Sequence, residues 1–108
     1  MNIKESDWKI FCEIKSEAAK VFCTRQLDEA IKTITDEAEP VGERYNFMCQ
    51  HSKESQKQMK LIFDGHSLSR AFIQLMQMCA EGLVAPEQFE RLSEELKKDI
   101  TSILERRA

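Results

Sequence analysis

From about Ser6 to Ala38 the chain contains neither Gly nor Pro, and its wealth of Glu, Lys, Ala, Ile and Leu favours helix throughout. At about 100° per residue, Trp8, Phe11, Ile14, Ala18, Val21 and Phe22 fall on one apolar stripe, and Leu27, Ile31, Ile34 and Ala38 fall on a second. The step from Phe22 to Leu27 spans five residues where three or four would hold phase, so the stripes lie nearly opposite each other. Two structures satisfy this pattern. Either the helix breaks near Thr24-Arg25, or one continuous helix buries one face early and the opposite face late. A continuous helix would run ~45–50 Å at 1.5 Å per residue, longer than a compact domain of this size, and one half would then need a partner from another subunit. Ser6 is the expected N-cap, with Asp7 at the positive end of the helix dipole.

Glu39-Pro40-Val41-Gly42 interrupts the helical pattern, and a second helix is expected from there to about Asp64. Val41, Tyr45 and Met48, then Met59, Ile62 and Phe63, keep helical spacing. Between them Gln50 to Gln58 is a run of polar residues with no large apolar anchor. Ser52 and Ser55 take the inward phase there, which suits close approach of a neighbouring helix or an overhanging, solvated segment. Asp64-Gly65-His66-Ser67 reads as a turn, with Gly65 at a left-handed position after one helix and Ser67 capping the next. The third helix, about Leu68 to Glu81, is apolar around most of its circumference, which predicts a buried central element. Gly82 ends it, and Pro86 with Glu87 opens a fourth. Phe89, Leu92, Leu96, Ile100 and Ile103 continue at helical spacing, or Ser93 before Glu94-Glu95 caps a separate final helix. The prediction is an all-α protein: a four- or five-helix bundle with a long N-terminal helix and a buried central helix, forming one domain over residues 1–108.

Composition narrows the function classes. Three Gly and two Pro in 108 residues are too few for the turns of an antiparallel β-fold or for glycine-rich catalytic loops. The net charge is −3, from 16 Lys and Arg against 19 Asp and Glu, so no general field draws in nucleic acid or an anionic membrane. Apolar runs such as Ala71-Phe72-Ile73 fall far short of the ~20 residues of a membrane span, and no block of signal-peptide length follows the N-terminus. A cytoplasmic protein is expected, in which Cys12, Cys23, Cys49 and Cys79 remain reduced.

Candidate chemistry is sparse. The four Cys and two His raise the possibility of metal binding, yet no C-x-x-C pair occurs. Cys49 and His51 diverge on a helix, and Cys12 and Cys23 sit ~16 Å apart along one face. Asp64, His66 and Ser67 superficially resemble a triad, but consecutive turn residues rarely aim their functional atoms together, and capping explains them more simply. No P-loop, dinucleotide glycine pattern, H-E-x-x-H pair or calcium loop is present. The acidic run Asp28-Glu29 and Asp36-Glu37-Glu39 reads as a solvated face. Met48, Met59, Met76 and Met78 read as core filling, with partner recognition as the less frequent use.

Trp8, Phe11, Ile14 and Phe22 are the candidate interaction residues, because a first helix standing away from the core would expose them together. The expected function is therefore non-enzymatic protein–protein interaction through homodimerisation or capture of another protein's helix, with no cofactor, metal, nucleic acid or membrane. The competing reading is a small-ligand or metal-binding bundle using some of Cys49, His51, His66 and Cys79. Asp7-Trp8-Lys9, Glu43-Arg44-Tyr45, Ile62-Phe63-Asp64, Gln74-Leu75 and Gly82-Leu83, with Glu87, Phe89, Ser93 and Glu94-Glu95, resemble markers of small uncharacterised bacterial helical proteins. That resemblance implies a bacterial cytoplasmic protein and brings no activity with it.

Overall fold

The phase reversal in the first segment is carried by one unbroken helix. In the computed structural model, which describes residues 3–107, α1 runs Glu5–Ile34, 30 residues, straight through Thr24-Arg25. At 1.5 Å per residue this is about 45 Å, close to the molecule's full long dimension of 51 Å. Phe11, Ile14, Ala18 and Phe22 on its first half are buried, whereas Leu27 and Ile31 on its second half are exposed. The chain turns through residues 35–40 into α2 (Val41–Phe63), which returns antiparallel to α1. Arg44 holds this turn, donating from its guanidinium to the Ile34 carbonyl at 2.8 Å and the Glu39 carbonyl at 3.1 Å.

Then follow α3 (Leu68–Ala80), the short α4 (Pro86–Glu90) and a separate α5 (Glu94–Arg107). Gly65 and Gly82 both have positive φ, 81° and 69°, as expected of residues that follow a helix end. At Gly82 the closure is complete: its N–H bonds the Cys79 carbonyl and the Leu83 N–H bonds the Met78 carbonyl. Leu83 and Met78 are both buried, so the paired hydrogen bonds and the hydrophobic contact that seal a helix C-terminus occur together.

Two expected caps are absent. Helix α1 begins one residue before Ser6, and Lys4 stands at its N-cap without a side-chain hydrogen bond. Ser67 occupies the N-cap of α3, but its hydroxyl pairs with the Ser69 hydroxyl at 3.2 Å and not with the helix backbone. Asp7 lies in the first turn of α1, at the positive end of the helix dipole as expected, and it has a further task. Only 2% exposed, its carboxylate accepts the Ser93 N–H at 2.8 Å and the Ser93 hydroxyl at 2.6 Å. Ser93 in turn accepts from the Leu96 N–H at 3.3 Å. A buried carboxylate must be hydrogen-bonded, and here that requirement ties the start of α1 to the start of α5.

The core lies at one end of the molecule. Ile3, Phe11, Ile14, Ala18 and Phe22 meet Ile62, then Ala71, Phe72, Leu75 and Met78 of α3, and Leu83, Leu92, Leu96 and Ile100. Helix α3 is central, packed against α1, α2 and α5, but it is not enclosed all round: Leu68 and Ile73 remain exposed. The remaining helices cover one side of it and leave the other to solvent. Beyond the core, the last third of α1 and the first half of α2 extend as a two-helix overhang. The radius of gyration is 16.7 Å, against about 13 Å for a compact chain of this length.

Candidate functional site

The overhang is a helical hairpin with two unlike sides. Gln26, Ala30 and Thr33 of α1 and Arg44, Phe47, His51 and Ser55 of α2 are half-buried along the seam between the helices. Across it His51 Nε2 meets the Gln26 carbonyl at 3.1 Å, while the His51 ring stacks on Phe47 with centroids 5.2 Å apart. The seam thus lacks the large aliphatic pairs of the core. In two antiparallel helices, positions about 100° past a shared seam fall on the same side of both, because reversing the chain and reversing the facing direction cancel. Leu27 and Ile31 of α1 and Val41, Tyr45 and Met48 of α2 occupy that phase. They are 63%, 54%, 75%, 63% and 39% exposed.

The opposite side is charged. Glu29, Lys32 and Asp36 line an open cleft of about 550 Å³ together with Glu39 and Glu43. Acidic residues expected to form a solvated face therefore collect on one side of the hairpin, and the large apolar residues are left on the other. The cleft's own lining confirms the wheel geometry, since Glu29 and Glu43 come from different helices and share it.

The residues expected to greet a partner are elsewhere. Phe11 and Ile14 are fully enclosed and Phe22 nearly so; Trp8 is half-buried, stacked at 5.5 Å on Phe11. Exposure of that patch required the N-terminal half of α1 to stand away from the core, and it is the C-terminal half that does so. The second stripe, named in the sequence but not chosen as the site, supplies the unpartnered surface. A signal was already present: Gln50–Gln58, the middle of α2, offers no large apolar side chain with which α1 could extend the core past Phe22.

A second constellation forms where the α2–α3 turn crosses α1. Lys15 Nζ donates to the Gly65 carbonyl at 2.7 Å and to Gln74 Oε1 at 3.2 Å, and lies 3.3 Å from His66 Nδ1. The buried Gln74 amide donates to the Asp64 and Gly65 carbonyls at 2.8 and 2.9 Å, fixing the turn. His66 Nε2 lies 3.7 Å from Cys12 Sγ, and its ring packs on Trp8 with centroids 4.7 Å apart. Burial holds Lys15 below the usual lysine range; Arg70 acts in the same direction, while Cys12 and Asp64 oppose it. His66 was expected as a turn residue or, in the competing reading, as a ligand, and its meeting with Cys12 had no trace in sequence spacing.

The four residues of the ligand-binding reading are not gathered. Cys49 and His51 lie on α2 in the overhang, His66 at the α2–α3 turn, and Cys79 at the far end of α3. Among the described residues, no group of three or more His, Cys, Asp or Glu is placed to hold a metal ion. Burial alone pushes the Cys79 thiol up to about 11. Among the described residues no helix is long and apolar enough to cross a membrane. No protein-family model, curated protein or solved structure matches the chain.

Proposed function

We propose that this protein is a non-enzymatic helical interaction module that self-associates through the apolar side of its α1–α2 overhang. Two copies set their hairpins side against side, and the four helices complete a bundle that one chain only half supplies. One observation carries this reading: five large apolar side chains lie exposed on a single side of a hairpin that extends beyond the core. A contiguous patch of this kind on a water-soluble surface marks an interface. A second copy fits it better than a charged partner does. In a two-fold contact each patch meets itself, and the carboxylates of Glu29, Asp36, Glu39 and Glu43 line the other side, so no like charges are forced together.

Fully burying an exposed side chain of this size contributes roughly 1.5–3 kcal/mol; these five are already partly covered and gain about half of that each, and a symmetric contact buries each of them once in either copy. This offsets the several kcal/mol lost in joining two molecules. The reading keeps the cytoplasmic setting expected from the sequence, supported by four cysteines that all stand unpaired. Light scattering on the wild type and on a Leu27→Glu, Tyr45→Glu variant tests it. The wild type should show twice the chain mass of 12.6 kDa at micromolar concentration, and the variant, still helical by circular dichroism, should show the single mass. A wild type that stays monomeric throughout, or a variant that stays dimeric, would overturn the proposal.

A further inference from the structure

Cys12 stands between two environments on α1. By helical phase Trp8 and Lys15 flank it on one side, with His66 brought to 3.7 Å from Sγ. On the other side Glu13, Ser16 and Glu17 line, with Cys12 itself, Leu83, Ala85 and Gln88, an open groove of about 780 Å³. That is ample for a small molecule to come against Cys12. The three protons of the Lys15 ammonium match three acceptors: the Gly65 carbonyl, Gln74 Oε1 and His66 Nδ1. Nδ1 used as an acceptor leaves the proton of a neutral imidazole on Nε2, where it points at Cys12 Sγ. Cys12 Sγ thus faces a ring nitrogen whose far side is held by a cation, and Trp8 against the ring keeps it in place.

We propose that Cys12 is the reactive thiol of this protein, a modification site at which a small disulfide entering the groove exchanges onto Sγ, with His66 and Lys15 positioning the attacking sulfur. The Cys12 thiolate attacks one sulfur of the disulfide; the Cys12–sulfur bond forms as the disulfide bond breaks, and the leaving thiolate takes up, through water, the proton that Cys12 released. One thiol and one disulfide give one mixed disulfide and one thiol, with no other oxidant. The inference is independent of the self-association reading, because the groove and the overhang involve different residues.

The other cysteines provide internal controls. Cys23 is the most exposed of the four and has no side-chain hydrogen-bond partner among the described residues, so exposure alone would make it react first. Each cysteine lies in its own tryptic peptide, that of Cys12 being Ile10–Lys15 and that of Cys23 Val21–Arg25. The full chain is treated with 2-hydroxyethyl disulfide, a neutral probe, and mixed-disulfide formation is followed peptide by peptide, in buffer and in urea. Cys12 should react about tenfold faster than Cys23 in the native state, with the ratio collapsing towards one in urea and falling severalfold in His66→Gln. Cys23 reacting first, a ratio equal in buffer and urea, or a His66→Gln protein whose ratio is unchanged would each overturn the proposal. The native-to-urea comparison needs no variant and so stands even if His66→Gln folds poorly.

Discussion

Phe11 and Leu27 are large apolar residues on the same unbroken helix, yet one is fully buried and the other mostly exposed. The difference lies in what stands opposite. At the first half of α1, helices α3 and α5 and the end of α2 deliver Leu75, Met78, Ile100 and Ile62 to one face. At the second half, beyond Arg25, whose guanidinium donates to the Glu81 and Gly82 carbonyls, α1 faces the start of α2, whose seam residues Arg44 and His51 are polar beside the one aromatic Phe47, and whose apolar residues point the same way as Leu27 and Ile31. Hydrophobic patterning therefore specifies a face for burial without specifying that the burial occurs within the chain.

The largest expected contrast comes from truncating one residue at each end. Phe11→Ala or Ile14→Ala should cost about 3–5 kcal/mol in urea unfolding, since a filled site becomes a cavity. Leu27→Ala, measured where the protein is dilute, should stay within about 0.5 kcal/mol. Equal costs at the two sites would erase the distinction between them. Next is Asp7→Ala, which leaves the Ser93 N–H and hydroxyl unpaired at the start of α5 and should cost about 2–3 kcal/mol. A loss near zero would mean that the two helix starts are not coupled. Arg44→Ala, at the opposite tip, removes two bonds to turn carbonyls and should cost about 1 kcal/mol, with amide exchange accelerating in residues 30–45 and not in α3.

At neutral pH Cys79 gives the smallest effect of these, because its thiol keeps its proton in both the folded and the unfolded chain. Its thiol is pushed up from 9.0 to about 11 by burial, so the unfolded chain loses that proton at lower pH than the folded one. Stability should accordingly fall as pH rises from about 9 through 11, and Cys79→Ala should remove that part of the slope.

Much of the architecture was legible in the sequence. The breaker at Pro40, the glycines at 65 and 82 and Pro86 mark the ends that the helices take, and Ser93 opens a separate last helix as its place before Glu94-Glu95 suggested. The reversed stripes in residues 8–38 allowed either a break near Thr24-Arg25 or a continuous helix with one half unpartnered, and the structure takes the second. Which half overhangs was not decidable from phase alone, because it depends on how many other helices reach each half; hence Trp8, Phe11, Ile14 and Phe22 were taken for a surface and are core or core edge. Asp7 with Ser93 and Cys12 with His66 were equally hidden. They are separated by 86 and 54 residues, and only the packing of the α2–α3 turn and the α5 start onto α1 brings them together.

Amide hydrogen exchange at two protein concentrations tests the central claim most directly, because each region is read in the same molecule. If the overhang is where copies of the chain meet, protection in residues 24–34 and 41–52 should rise as the protein is concentrated, while the slowest amides of α3 and the first half of α1 stay unchanged or shift only with global stability. Protection in the overhang that is independent of concentration, or a rise confined to α3 and α5, would contradict the account.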